Sequence, residues 1–255
     1  MSTANEIRLV VRGDDFGMCH AVNQGIQRAF EEGIVTTSST MAACPWFGEA
    51  TEIAAQTGLP LGCHQTLTCE WDYFRWRPLT DGPTLVGADG TFPPTVELAH
   101  EHAQHAEVVT ELLAQVERFR SAGLSLDYLD HHMGSAHPAA YAEVSDRTSV
   151  PFLYSDEVRR RGLDTISELS PRESAGKKDW LLGYLRGLAP GGHMLVCHPG
   201  VASSELESLT GPQSVPWLWA AEYRVADLRV LTDPEVRDLI DKLGIKLCSL
   251  SEALS

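Results

Sequence analysis

Apolar strand-like runs alternate with amphipathic helical stretches along nearly the whole chain of 255 residues. The first run, Ile7 to Val11, is followed by apolar residues at helical spacing that stop at Gly33. Consecutive strands joined by helices lie parallel in one sheet. We therefore predict an α/β fold. The chain length is usual for a (β/α) barrel, so we expect one barrel-like catalytic domain over residues 1–255.

The periodicity also predicts where individual elements lie. Two further strands are predicted, over 34–42 and 245–248. Helices are predicted over 47–57, 95–121, 138–148, 178–188 and 220–231. Residues 65–94 and 164–176 lack a period and are predicted as loops. The run Asp233-Pro234-Glu235 is typical of the start of one more helix.

Four of the apolar runs end in an acid or an imidazole. The first leads into Asp14 and Asp15, and later runs end in His64, His132 and His198. Functional groups of parallel α/β proteins gather at the carboxyl ends of their strands. A turn that caps the next helix would explain the two aspartates alone, but not all four strand ends. The pattern indicates one shared site at this edge of the sheet.

The composition and charge of the chain limit which binding partners and which cellular location we expect. The formal net charge of −15 argues against binding to nucleic acid or to an anionic membrane surface. The first residues show no signal-peptide pattern and no run is long enough to span a membrane, so we expect a cytoplasmic protein. The six cysteines show no Cys-x-x-Cys pair, which argues against a zinc ribbon or a disulfide scaffold. Cys63 and Cys197 each precede a site histidine within a strand, and we interpret these two as small buried residues.

Asp, His and His form a common ligand set for a divalent cation that leaves positions open for water and substrate. One of the paired aspartates would bind the ion and the other would serve as general base, with His198 as proton donor to a leaving group. Strand alternation places Asp130 on the same face as His132, where it would orient an imidazole, and turns His131 towards packing. These parts indicate hydrolysis of an unreactive bond such as an amide.

Several motifs, in this order along the chain, resemble those of the YdjC-type carbohydrate deacetylases, which include chitooligosaccharide deacetylases. The matching runs are Asp14-Asp15-Phe16-Gly17, Val22-Asn23-x-Gly25-Ile26, Gly33-Ile34-Val35-Thr36, Gly62-x-His64-x-x-Leu67-Thr68, Leu129-Asp130-x-His132, Cys197-His198-Pro199 and Arg224-x-x-Asp227-Leu228-x-x-Leu231. The resemblance covers nearly the whole chain.

The resemblance implies a barrel-like fold related to the polysaccharide deacetylases. It also implies one divalent metal ion, Mg or Zn, and removal of an acetyl group from a small N-acetylated saccharide. By register, Asp15, His64 and His132 carry over as metal ligands and Asp14 as the base. Asp130 and Arg224 are expected to support these residues or to contact the substrate.

Aromatic residues in two loops add a further expectation. Trp71, Tyr73, Phe74 and Trp76 lie within the loop over 65–94, and Trp217 lies in a later loop. Such residues, Trp71 and Trp217 above all, suit the flat faces of a sugar. The same residue types are common at subunit interfaces, so a homodimer is an equal interpretation.

Two other functions compete with saccharide deacetylation. A metal-dependent barrel hydrolase or isomerase for another sugar-like substrate would be expected to carry Glu at its strand ends, and this sequence has none there. A non-catalytic sugar- or metal-binding protein would be expected to have lost part of the Asp and His set, which is complete here.

Overall fold

The computed structural model describes residues 6–169, 174–209 and 221–255, and these ranges contain seven strands and eleven α-helices. The strands are β1 (Ile7–Phe16), β2 (Thr37–Thr40), β3 (Leu61–Gln65), β4 (Tyr128–His131), β5 (Leu163–Glu168), β6 (Gly191–Cys197) and β7 (Lys246–Leu247). The helices are α1 (His20–Glu31), α2 (Phe47–Thr57), α3 (Val96–His102), α4 (His105–Ser121), α5 (Pro138–Thr148), α6 (Asp156–Arg160), α7 (Lys177–Arg186), α8 (Ser204–Ser208), α9 (Ala221–Leu231), α10 (Pro234–Leu243) and α11 (Leu250–Ala253).

The strands form one parallel sheet in the order β4-β3-β2-β1-β6-β5, and β7 pairs with the first half of β1. The sheet curls into a half-barrel with helices outside it. Phe152 forms a parallel bridge with Leu129 of β4, and in the described ranges no strand pairing joins this segment or β4 to β5. The predicted α/β, barrel-like parallel sheet is confirmed.

The centre of the fold is β1, whose apolar half is completely buried at Leu9, Val10 and Val11. On the outside, one apolar cluster packs α1, α2 and α4 against the sheet, and another packs α7, α9 and α10. Inside the half-barrel, Val10, Tyr128 and Met194 belong to a third cluster. The apolar residues fill the bottom of the half-barrel and leave its carboxyl-terminal mouth to polar groups.

Most predicted boundaries agree closely with the structure. The helix over 138–148 matches α5, and Asp233 caps α10 through a hydrogen bond from the Glu235 N–H to its Oδ1 atom at 2.9 Å. Cys63 and Cys197 are buried as predicted, and the other four cysteines are also buried and free. The second strand is shorter than predicted and covers only Thr37–Thr40. In the described part of the chain, no helix is both long and apolar enough to cross a membrane.

The helix predicted over 95–121 is wrong, because the structure divides it into α3 and α4. Ala103 and Gln104 have extended backbone angles between the two helices. The Gln104 N–H donates a hydrogen bond of 2.9 Å to Thr84 Oγ1, in the preceding loop. Ala and Gln both favour helix, so it is this tertiary contact that accompanies the break.

The loop predicted over 164–176 is wrong in its first part, which forms strand β5. This strand lies at the edge of the sheet and, among the described residues, pairs with β6 alone. Its residues Asp164, Thr165 and Ile166 are exposed. An edge strand with so much solvent contact does not need apolar alternation, and this explains why the pattern did not reveal it.

Candidate active site and metal centre

Both paired aspartates face the mouth of the half-barrel, although neighbours in a regular strand point to opposite faces. The register between β1 and β2 shifts between Gly13 and Phe16, as at a β-bulge. Asp15 lies in the left-handed region with φ of 70°, a conformation that is uncommon for a residue other than glycine and that clusters at functional sites. This bulge turns both carboxylates towards His64.

Three nitrogen and oxygen atoms from three strand ends converge in this region. The distance from Asp15 Oδ1 to His132 Nδ1 is 3.3 Å, from His132 Nδ1 to His64 Nε2 is 3.3 Å, and from His64 Nε2 to Asp15 Oδ1 is 3.6 Å. Ligands of a tetrahedral ion with bonds of about 2.1 Å lie about 3.4 Å apart. Within the described residues, the buried Asp15 Oδ1 atom makes no hydrogen bond of good geometry. Asp15, His64 and His132 therefore fit a divalent metal ion.

Each of these three side chains is oriented by a second buried residue. The Nδ1 atom of His64 lies 3.0 Å from Asp130 Oδ1. The Nε2 atom of His132 lies 2.9 Å from Glu70 Oε2. Arg224 Nη2 donates to Asp15 Oδ2 at 2.7 Å. A carboxylate on the far nitrogen of a histidine leaves the other nitrogen free to bind a metal.

The charges around the three candidate ligands shift their pKa values. Burial alone would lower the pKa of His132, but the carboxylates of Glu70 and Asp15 raise it to about 10. Burial would raise the pKa of Asp15, and the Arg224 guanidinium and His132 lower it well below its usual range. Asp15 is therefore ionised at neutral pH, and a metal ion would replace the proton on His132.

Asp14 is held by a different cation. Arg12 Nε and Nη2 donate to its two carboxylate oxygens at 2.6 and 2.7 Å, and Arg12 Nη1 lies 2.8 Å from Asp130 Oδ2. Burial raises the pKa of Asp14 above its ordinary value, although Arg12 opposes the rise. The Asp14 Oδ2 atom lies 3.9 Å from His64 Nε2. Asp14 is thus next to the ligand atoms, with a carboxylate more basic than usual.

His198 follows β6 and reaches the site from the opposite side. Its Nε2 atom lies 3.9 Å from Asp14 Oδ2. Its backbone N–H donates to Asp227 Oδ2 at 2.8 Å, and Lys177 forms a buried ion pair with the other oxygen of Asp227. Burial lowers the pKa of His198 well below its usual value, so the imidazole is neutral at rest.

The motif residues on α1 explain how the ends of β1 and β6 are fixed. Asn23 Oδ1 accepts a hydrogen bond of 2.7 Å from the Gly17 N–H, directly after the aspartates. A Cβ atom at Gly25 would lie 2.5 Å from the Gly200 Cα atom. Only glycine allows the helix to approach the turn after His198 this closely.

The aromatic residues of the loop over 65–94 divide between site and core. Trp71 is buried, lines a small cavity with Asp15 and His132, and lies 5.7 Å from the Arg224 guanidinium in a cation–π contact. Trp76 is buried in the core, whereas Tyr73 is 71 % exposed. The predicted Trp217 lies outside the described residues.

The structure thus brings together Asp14, Asp15, His64, His132 and His198, all predicted from the sequence. Asp130 is also present, and its imidazole partner is His64 on the neighbouring strand. His131 is a packing residue as predicted, since its ring stacks on Tyr154 with 4.4 Å between the centroids.

Sequence analysis did not assign a role to the supporting residues Arg12, Glu70 and Lys177. Arg12 lies two residues before Asp14 on the same face of β1, and this spacing was a usable signal. Glu70 lies in a loop without periodicity, where no pattern marks it. Lys177 is far from its partner Asp227 along the chain, and only the packing of α7 against α9 joins them.

The fold and the site define a parallel half-barrel protein of the α/β class with an Asp–His–His cluster at its strand ends. The chain belongs to the YdjC-like protein family, whose model matches residues 8–242. It is 31 % identical over 251 residues to a carbohydrate deacetylase from Geobacillus stearothermophilus, covering 95 % of this chain and 96 % of that protein.

Two solved structures support the same fold. One, from Enterococcus faecalis, is of a protein proposed to cleave cellobiose-phosphate; it has a TM-score of 0.78 at 24 % identity and covers 97 % of this chain and 98 % of that one. The other is the CE4 domain of a multidomain xylanase from the hindgut metagenome of Trinervitermes trinervoides. It has a TM-score of 0.55 at 10 % identity and covers 98 % of this chain and 90 % of that one.

Proposed function

We propose that this protein is a metal-dependent carbohydrate deacetylase that removes the acetyl group from a small N-acetylated saccharide. The observation that carries the proposal is the convergence of Asp15 Oδ1, His64 Nε2 and His132 Nδ1 within 3.6 Å of one another, with Asp14 and His198 beside them. Relatives named carbohydrate deacetylase, similar over nearly their full length, support the reaction type.

Asp15, His64 and His132 would hold the ion. Two imidazoles and one carboxylate suit zinc and similar transition metals, whereas magnesium prefers oxygen ligands. We therefore propose a zinc-type ion. When bound, it would polarise the amide carbonyl and lower the pKa of water.

Asp14 is the proposed general base. It accepts a proton from the water molecule whose oxygen attacks the carbonyl carbon. Burial raises the pKa of Asp14, which makes its carboxylate a better proton acceptor than a solvated aspartate, and Arg12 keeps it ionised and oriented. Arg224 fixes Asp15, so the two neighbouring carboxylates have separate roles.

His198 is the proposed proton donor to the leaving nitrogen. The C–N bond breaks to give acetate and a free amine, and the nitrogen takes up a proton as it leaves. Because the resting imidazole is neutral, it must gain a proton during the cycle. The 3.9 Å separation between Asp14 Oδ2 and His198 Nε2 is one that a bridging water spans, so the proton removed by Asp14 has a short route to His198.

The proposal is tested by measuring acetate release from N-acetylglucosamine and its β-1,4-linked oligomers, with protein that has been stripped of metal and reloaded with zinc. His198→Ala is the informative variant. Its rate of amide hydrolysis should fall about 10²- to 10⁴-fold. Its rate on an activated acetate ester should fall much less, because that leaving group needs no proton. Equal losses on both substrates would refute the donor role. Absence of acetate release from all N-acetylated sugars would refute the proposed function.

A further inference from the structure

Two cavities meet at the proposed catalytic centre and share His198 and Met133 as wall residues. The smaller one, of about 20 Å³, lies on the Asp15 side and is bordered by Trp71 and Arg224. The larger one, of about 300 Å³, lies on the Asp14 side. The site therefore has two compartments of very different size, one on each side of the paired aspartates.

Size decides which compartment can hold a sugar ring. A cavity of about 20 Å³ is only slightly larger than the space that one water molecule needs. The smaller cavity therefore admits a group no larger than a methyl. The larger cavity is at the lower end of the range for small-molecule sites, a size that suits about one sugar ring. Asp14 and His198, the two residues that would exchange protons with water and leaving nitrogen, both line this larger cavity.

The larger cavity lies beside the edge strand β5, where no strand pairing in the described ranges joins β5 to the segment bridged to β4. Ile166 and Glu168 of the edge strand β5 border it on one side. These two residues are two positions apart and so share one face of the strand. Ile166 is 37 % exposed. Tyr154 borders the same cavity and is held by its stacking on His131. The exposed part of Ile166 connects this side of the cavity with solvent.

The chemistry of this wall matches a neutral sugar. A pyranose ring presents apolar C–H faces, which an aromatic ring and an aliphatic side chain contact well. Its hydroxyls donate hydrogen bonds, which a carboxylate accepts. Given the proposed function, which this step presupposes, we infer that the cavity beside β5 binds the ring that carries the acetamido group. Tyr154 and Ile166 contact its face, and Glu168 accepts hydrogen bonds from its hydroxyls. Glu168 and Tyr154 are thus substrate-specificity residues.

The test compares two substrates, one with and one without a sugar ring: N-acetylglucosamine and 2,2,2-trifluoroethyl acetate. Glu168→Ala and Tyr154→Ala should each raise KM for the sugar about tenfold. Because Tyr154 Oη also lies 3.5 Å from Arg12 Nη2, the ester comparison is made in Glu168→Ala, where the loss in kcat/KM for the ester should be much smaller than the loss for the sugar. Glu168→Gln, which retains a hydrogen-bond acceptor, should recover part of the loss. Glu117→Ala, an exposed position on α4, is the matched control and should change neither substrate. Unchanged sugar KM in both alanine variants, or equal losses on both substrates, would overturn the inference.

A binding measurement separates this inference from the proposed function. Saturation-transfer NMR with N-acetylglucosamine reports ring binding without turnover. Transfer in the wild type that is lost in Glu168→Ala supports the cavity even if no acetate is released, a result that would refute only the deacetylase proposal. Acetate release with transfer unchanged in Glu168→Ala would instead refute only the cavity. Absence of transfer in the wild type would also overturn it.

Discussion

Arg12 and Asp14 form a buried pair with two parallel hydrogen bonds of 2.6 and 2.7 Å. The guanidinium lowers the pKa of Asp14, against the larger effect of burial, which raises it. Arg12→Lys keeps a positive charge but loses the paired geometry, so the pKa of Asp14 should rise further. The acidic limb of the kcat/KM profile should then move to higher pH. Arg147→Lys, at an exposed ion pair, is the control. If the acidic limb of Arg12→Lys stays in place or moves to lower pH, Asp14 is not the general base.

Substitution of Asp14 and substitution of Asp15 should have different effects on metal binding. Asp14→Asn should retain the metal, because the ligand atoms remain. Its turnover should fall about 10²- to 10⁴-fold, because the general base is removed. Asp15→Asn should lose metal affinity as well, since Asp15 Oδ1 is one of the three converging atoms. Metal analysis after dialysis, together with acetate release, checks both. If Asp14→Asn loses metal and Asp15→Asn does not, the two roles are reversed.

The protonated state of His132 should make the stability of the metal-free protein depend on pH. Its pKa is raised from 6.5 to about 10 by Glu70 and Asp15. A raised pKa contributes stability that is fully present below pH 6.5 and is lost as the pH rises through about 10. The melting temperature of metal-free protein should therefore fall across this window. In Glu70→Gln the fall should be smaller, and an equal fall in both proteins would exclude His132 as its source.

Lys177 and Asp227 form an ion pair with no solvent exposure. Removal of one partner from such a pair costs about 3–5 kcal/mol, because the other charge stays buried. Lys177→Met should therefore lower the free energy of unfolding by about this amount, and the double variant Lys177→Met/Asp227→Leu should be more stable than Lys177→Met. Lys178→Met, at an exposed pair with Asp233, should have little effect. Urea unfolding measures all three, and equal effects of Lys177→Met and Lys178→Met would contradict the prediction.

The sequence predicted much of the site because its main residues directly follow apolar strands. Asp14, His64, His132 and His198 are visible in this way, since each ends or follows a buried run. The β-bulge that turns Asp15 inward is not visible, because it depends on the pairing of β1 with β2.

Other features depended on tertiary contacts. Glu70 orients His132 from an irregular loop, β5 is an edge strand with few buried residues, and a hydrogen bond to Thr84 accompanies the break between α3 and α4. The homodimer, the single domain and the cytoplasmic location remain predictions.

The central claim is that one divalent ion, held by Asp15, His64 and His132, is required to release acetate from an N-acetylated sugar. The most direct measurement is a titration of metal-free protein with zinc, following acetate release from an N-acetylglucosamine oligomer. Activity should rise linearly and reach its plateau at about one ion per chain, whereas His64→Ala and His132→Ala should bind little zinc and stay inactive. Full activity without added metal, or the same zinc binding in both variants as in the wild type, would contradict the account.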